Sequence, residues 1–241
     1  MSPAGIEAQG LGVRFLFDRL SRQVTPTIAR LRFGVTEKWG LREVGFSIRP
    51  GQGVALIGPS GSGKTTLLRV VAGVLEPDAG SLEVQGRVGS LLSIDAGLMG
   101  LLTGRENSEL LGVLAGLSRQ AAREALPRVA ERIDLEEAFD RPVASYSQGM
   151  RARLGFAVAE EADPRILLLD EVHEALDHQF REIVEAKARA ILEQGGIVMA
   201  AGHDHPLLER LCDRGILLRR GEVAADGAFE DVRRTYLGDR A

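Results

Sequence analysis

Apolar and polar positions change their period several times along the chain, and each change marks an element. Residues 6–17 read as a first strand, with Phe15 and Phe17 near its end, and the alternation of Leu41-Arg42-Glu43-Val44-Gly45-Phe46-Ser47-Ile48 predicts a second, stopped by Arg49-Pro50-Gly51. Val54-Ala55-Leu56-Ile57 is continuously apolar, as a strand buried on both faces must be, and helical spacing follows over roughly 64–74. Glu76-Pro77-Asp78-Ala79-Gly80 reads as a turn leading to short strands at 81–85 and 87–92. From about 104 to 160 helical patterns dominate. Strand 165–171, helix 178–193, strand 196–201, helix 206–211 and strand 214–219 then alternate, and 222–237 reads as a strand and a short amphipathic helix. Strands alternating with helices predict an α/β fold with a mostly parallel sheet and a ligand at the strands' C-terminal ends. The expected organisation is one domain over 1–241, with a core at about 1–90 and 161–241 and an inserted helical subdomain at about 91–160.

Composition narrows the function classes. The net charge of −4, from 30 basic and 34 acidic residues, argues against nucleic acid as the main partner. Lys38, Lys64 and Lys187 are the only lysines among those bases. A single cysteine, Cys212, cannot form an internal disulfide, so a reducing compartment and a core-packing role are expected. No apolar run approaches the ~18 residues that span a bilayer, and the N-terminus carries no signal-peptide pattern, so a membrane role must come through a partner. Six bases against two acids between Arg14 and Lys38 read as a solvated loop or, alternatively, as a segment for an anionic membrane surface.

The chemistry centres on Gly58-Pro59-Ser60-Gly61-Ser62-Gly63-Lys64-Thr65, followed by Thr66, a phosphate loop with a strand before it and a helix after. Glycines without Cβ atoms let backbone N–H groups turn inward on phosphates, the helix N-terminus adds positive potential, and Lys64 adds a charge. The Thr65 hydroxyl suits Mg²⁺. The strand ending in Asp170-Glu171 delivers adjacent carboxylates, Asp170 to hold Mg²⁺ and Glu171 to polarise an attacking water. His203 follows another apolar strand and would hydrogen-bond a terminal phosphate; a metal pair with His205 lacks a third ligand. Tyr146-Ser147-Gln148-Gly149-Met150, opening a helix, forms a second anion site from Ser147 and Gly149. One γ-phosphate needs only one such site, so a head-to-tail dimer is expected, each copy's serine-glycine turn closing on the other's nucleotide.

With these motifs the chain resembles an ATP-binding-cassette (ABC) ATPase subunit from about residue 40 to 237. The resemblance implies a P-loop NTPase core with an antiparallel β part, ATP and Mg²⁺ as cofactors, and ATP hydrolysis coupled to transport. It assigns Asp177, after Glu174-Ala175-Leu176, to the dimer interface, and it asks for an aromatic near the end of the first strand to stack on adenine: Phe15 first, then Phe17 and Trp39. Leu102-Thr103-Gly104-Arg105-Glu106-Asn107, Arg141-Pro142-Val143 and Tyr146-Ser147-x-Gly149-Met150 look like the branch exporting O-antigen, teichoic acid and capsular polysaccharides. That implies a homodimer with two integral membrane permease subunits, a lipid-linked glycan as substrate, and peripheral attachment at the cytoplasmic face.

Three departures stand out. Leu91-Leu92-Ser93-Ile94-Asp95-Ala96-Gly97 lacks the family's glutamine, leaving Ser93 and Asp95 as coupling candidates. Gln148 replaces a small residue and would cost about 1 kcal/mol if the turn required positive φ there. Some related O-antigen ATPases carry an extra C-terminal carbohydrate-binding domain; with so short a stretch after Tyr236, glycan recognition through such an appendage is not expected unless another chain supplies it. Another importer or drug exporter, and a soluble ABC-type ATPase, are the alternatives; a small-molecule kinase would leave the serine-glycine turn unexplained.

Overall fold

Two sheets lie against one another with a shared apolar layer between them. The computed structural model describes residues 3–17, 36–91, 97–133, 136–170, 178–202 and 205–238. The smaller sheet is antiparallel, in the order β2-β1-β4, from β1 (Gly5–Phe17), β2 (Thr36–Ile48) and β4 (Ala79–Gln85). The larger has the order β5-β6-β7-β3-β8-β9, from β3 (Gly53–Ile57), β5 (Val88–Leu91), β6 (Ile166–Leu169), β7 (Ile197–Ala201), β8 (Arg214–Arg219) and β9 (Glu222–Ala228). It is parallel from β5 to β8 and closes with the antiparallel hairpin β8–β9.

Side chains of the central strands divide by parity. Val54 and Leu56 join Ile166, Leu168, Ile197, Met199, Ile216 and Leu218 in the layer shared with the small sheet and helix α1 (Lys64–Val71). Ala55 and Ile57 face the other way, with Leu167, Leu169, Val198, Ala200 and Leu217, toward α4 (Gln148–Glu161), α5 (His178–Glu193), α6 (His205–Leu211) and α7 (Phe229–Gly238). Both faces are covered, which is why these strands read as uninterrupted apolar runs.

Bulges keep β1 and β2 in phase with the core. Ile6 and Ala8 are buried, then Leu11 and Val13, because the register shifts between Ala8 and Leu11 where Gly10 takes φ 60. β2 begins before the alternating stretch, at Thr36, and α1 ends at Val71, short of 74, because Gly73 at φ 72 terminates the turn.

Helices α2 (Gly104–Leu114), α3 (Arg119–Ile133) and α4 enclose a third apolar cluster with Phe139, Val143 and Tyr146. α4 serves two cores: Ala152 and Phe156 pack on the large sheet, while Leu154, Ala157 and Val158 pack among the helices. It ties the helical part to the sheet. Arg128 donates twice to one Glu161 oxygen and Arg132 pairs bidentately with Glu160, joining α3 and α4 on the outside.

Candidate functional site

The phosphate loop leaves β3 at Gly58 and is built on three glycines with positive φ, 148 at Gly58, 75 at Gly61 and 112 at Gly63. Two of them are also demanded by space. A Cβ at Gly58 would fall onto the Leu218 carbonyl, and one at Gly63 would lie 2.7 Å from the Gly40 carbonyl. Gly63 is the N-cap of α1 and supplies no side-chain acceptor, so the first N–H groups of the helix are left for an external anion. Lys64, 5% exposed, lies beneath the loop with Nζ donating to the Gly58 carbonyl at 2.9 Å and the Pro59 carbonyl at 3.4 Å. Ser62 is buried, Pro59, Ser60 and Gly61 are exposed, and Thr65 and Thr66 are half-buried. Uncapped N–H groups and a buried ammonium suit a polyphosphate.

The cavity over this loop, about 300 Å³, runs from Ser60 through Thr66 to Phe15, Lys38, Trp39 and Gly40. Phe15 is half-buried there, its ring seated on Gly40. Trp39, 38% exposed, lies over Gly12 with the Arg14 guanidinium 5.3 Å from its ring centroid. The Phe17 side chain falls outside the described part of the chain. Of the basic stretch, Arg14 is engaged within the fold: its N–H donates to Asp78 and its guanidinium lies 3.8 Å from Glu37. Residues 18–35, with the remaining arginines of that stretch, are outside the described residues.

Asp170 follows β6 and is buried. Register places it: Leu169 pairs with Ala200, which pairs with Ala55 of β3, so Asp170 is level with Leu56, near the edge where Gly58 begins the loop. Carboxylate and threonine hydroxyl are oxygen donors, the set a hard divalent cation takes. Glu171, Asp177 and His203, like Ser93 and Asp95, lie outside the described residues. Of the His203-x-His205 pair only His205 is described, its ring stacked on Tyr236 with centroids 6.1 Å apart.

The serine-glycine turn lies at the start of α4. Ser147 is its N-cap, accepting a hydrogen bond from the Met150 N–H at 3.2 Å. Gln148 is the first helical residue, exposed, and absent from the non-glycine residues with positive φ, which are Glu43, Asp163 and Arg220 among those described. The expected strain at Gln148 therefore does not arise, because an N1 residue takes ordinary helical angles. A Cβ at Gly149 would meet only Ser147 Oγ, at 3.9 Å. Nothing among the described residues requires a glycine there.

The segments 102–107, 141–143 and 146–150 come together as one unit. Thr103 bridges Pro142, the Val143 N–H donates to Leu102 at 2.9 Å, and a Cβ at Gly104 would strike the Tyr146 hydroxyl, itself donating to Ala138 at 2.6 Å. Thr103 and Glu106 form a capping box on α2, in which the Thr103 N–H holds the Glu106 carboxyl below the usual range. Arg105 pairs bidentately with Asp140, holding that carboxyl low as well. Burial pushes the Tyr146 phenol up. Asn107, fully buried, accepts from the Met99 N–H and donates to the carbonyls of Met99, Leu102 and Thr103. Its structural role was not legible as chemistry, although the Thr103-x-x-Glu106 pattern marks the helix start. Cys212 is buried, and burial pushes its thiol up, consistent with packing.

A family model described as ABC transporter matches residues 41–174. The chain is similar to the O-antigen export system ATP-binding protein RfbB of Klebsiella pneumoniae, 36% identical over 196 residues, 81% of this chain and 80% of the relative. It is also similar to the teichoic acids export ATP-binding protein TagH of Listeria monocytogenes, 35% identical over 198 residues, 82% of this chain and 59% of the relative. Its fold matches a dimeric post-hydrolysis structure of the ATP-binding cassette MJ0796 bound to ADP and Pi, with a TM-score of 0.74 at 22% identity over 93% of this chain and 98% of that one. No helix among the described residues is long and apolar enough to cross a membrane.

Proposed function

Because this chain belongs to the ABC transporter family, we propose that it is the ATP-hydrolysing subunit of an exporter carrying a lipid-linked polysaccharide, of O-antigen, capsule or teichoic acid type, across the cytoplasmic membrane. The observation that carries the ATPase part is the cavity in which a buried Lys64, an uncapped helix N-terminus and Phe15 face one space. The glycan part draws support from the names of its relatives and from the packed unit of segments 102–107, 141–143 and 146–150, which bear the resemblance to that branch.

In this reading Lys64 and the loop N–H groups orient the phosphates while Phe15, flanked by Trp39, takes the base. Thr65 and Asp170 hold Mg²⁺, which when bound neutralises phosphate charge. Glu171 accepts the proton of the attacking water, and His203 hydrogen-bonds the terminal phosphate. Ser147, Gly149 and Asp177 of one copy close on nucleotide held by a second copy. The open space at Gly149 fits a surface kept small for something outside the chain. Two copies sit peripherally on the cytoplasmic face with two permease subunits, and closure passes through the helical part, residues 91–160. Moving such a pair from 1:99 closed-to-open to 99:1 takes about 5.5 kcal/mol of differential affinity, which nucleotide bridging two surfaces supplies.

The test is a lipid-linked glycan profile of cells whose only copy carries Glu171→Gln. Glycan gathering inside and vanishing from the surface is the expected result. A normal surface glycan, with the variant present and hydrolytically dead, would overturn the substrate class and return the importer and soluble ATPase alternatives.

A further inference from the structure

The turn between β8 and β9 is distant in sequence from the phosphate loop, yet it is bonded to it. The Gly221 N–H donates to the Ser62 carbonyl at 2.9 Å, and the Gly221 carbonyl accepts from the Arg42 N–H at 2.8 Å. One residue thus bridges the phosphate loop and β2. No side chain fits into the bridge: a Cβ at Gly221 would lie 2.7 Å from the Gly40 carbonyl oxygen and 3.1 Å from Leu41 Cα, and a Cβ at Gly63 would lie 2.7 Å from that same oxygen. Both obstacles are backbone, which cannot swing aside as a side-chain tip can.

Gly40 completes the chain of contacts. Its carbonyl side faces Gly63 and Gly221, while the Phe15 ring packs where its Cβ would be. The order from one end to the other is aromatic ring, Gly40, Gly63 with Gly221, and Ser62. The bridge also holds an unfavourable backbone in place at Arg220, φ 50, beside Gly221, whose φ 84 is open to glycine.

We infer that Gly221 is a positioning residue that fixes the spacing between the aromatic base platform and the phosphate loop, so that a nucleotide can engage both at once. This rests on the ATP reading given above. A ligand with a triphosphate and a base needs the spacing to be right, whereas inorganic tripolyphosphate touches the loop alone. The ratio of the two affinities therefore reads the spacing, and a general loss of packing does not move it.

The experiment measures binding of ATP and of tripolyphosphate by calorimetry to the full chain and to Gly221→Ala, Gly40→Ala and Gly227→Ala, with circular dichroism as the check on folding. Gly221→Ala is expected to lose about tenfold in ATP affinity and less than about twofold in tripolyphosphate affinity. Gly40→Ala, which displaces the Phe15 ring, should lower the same ratio. Gly227→Ala, in β9 with nothing within 4 Å of the added Cβ, should change neither affinity. A folded Gly221→Ala that keeps both affinities, or loses both equally, overturns the inference. If Gly221→Ala does not fold, the ratio in Gly40→Ala decides in the same way. Wild-type protein that binds neither ligand would instead overturn the nucleotide reading itself.

Discussion

The turn before α1 and the turn before α4 both present a helix N-terminus, but their surroundings differ sharply. The first is closed in by Leu218, Gly40 and Gly221, with a lysine buried under it. The second is exposed, capped by its own Ser147, and its Gly149 has open space above it. An anion site that must hold ligand alone is rigid before the ligand arrives, because preorganisation removes the cost of ordering it. A site that completes itself against another molecule needs only to be small and accessible. That difference is what the proposed sharing of one nucleotide between two copies requires.

The largest effect should come from the closed side. Lys64→Ala removes a buried charge that would make charge-assisted bonds to phosphate, so ATP affinity should fall about 10- to 100-fold in a binding titration. Unchanged affinity would break the comparison, because the loop would then not be the holding site. Next comes the support of the open side. Asn107→Ala leaves the Met99 N–H without its side-chain acceptor and strips the carbonyls of Met99, Leu102 and Thr103 down to their backbone partners, so it should destabilise the protein by about 1–3 kcal/mol in urea unfolding, while ATP affinity at the loop stays near wild type. A parallel loss of ATP affinity would mean that the two sides are not separately built.

The smallest effect concerns pH. Arg105 lowers the Asp140 carboxyl, so the stability this pair contributes is full above the ordinary carboxyl value near 3.9 and drains as pH falls through the lowered folded value. The pair is exposed and the effect accordingly slight. Asp140→Asn should lower the thermal midpoint slightly at neutral pH and flatten the acid side of the profile, so that the difference from wild type disappears below about pH 4.

Much of this was legible in the sequence because period reports burial. β3 and β7 are buried on both faces and read as unbroken apolar runs, and α5 and β8 have the ends that their patterns suggested. The phosphate loop was legible because its glycines meet a local need, positive φ within a short stretch. Gly40 and Gly221 were not, since each is required by a partner far along the chain and neither has a neighbouring motif. Gln148 misled for the opposite reason. A residue replacing a small one suggests strain, but strain depends on backbone angles, and an N1 position has none to impose. Asn107 was visible only as part of a resemblance, its hydrogen bonds depending on a loop whose path no periodicity describes.

In the proposed dimer the exposed turn of one copy meets the closed loop of another. Light scattering of the Glu171→Gln variant with and without ATP tests this most directly. The account predicts a shift from monomer to dimer mass with ATP, abolished by Gly149→Arg, which fits the single chain but blocks the meeting surface. A variant that binds ATP fully and stays monomeric at every nucleotide concentration, or a dimer indifferent to Gly149→Arg, would contradict it.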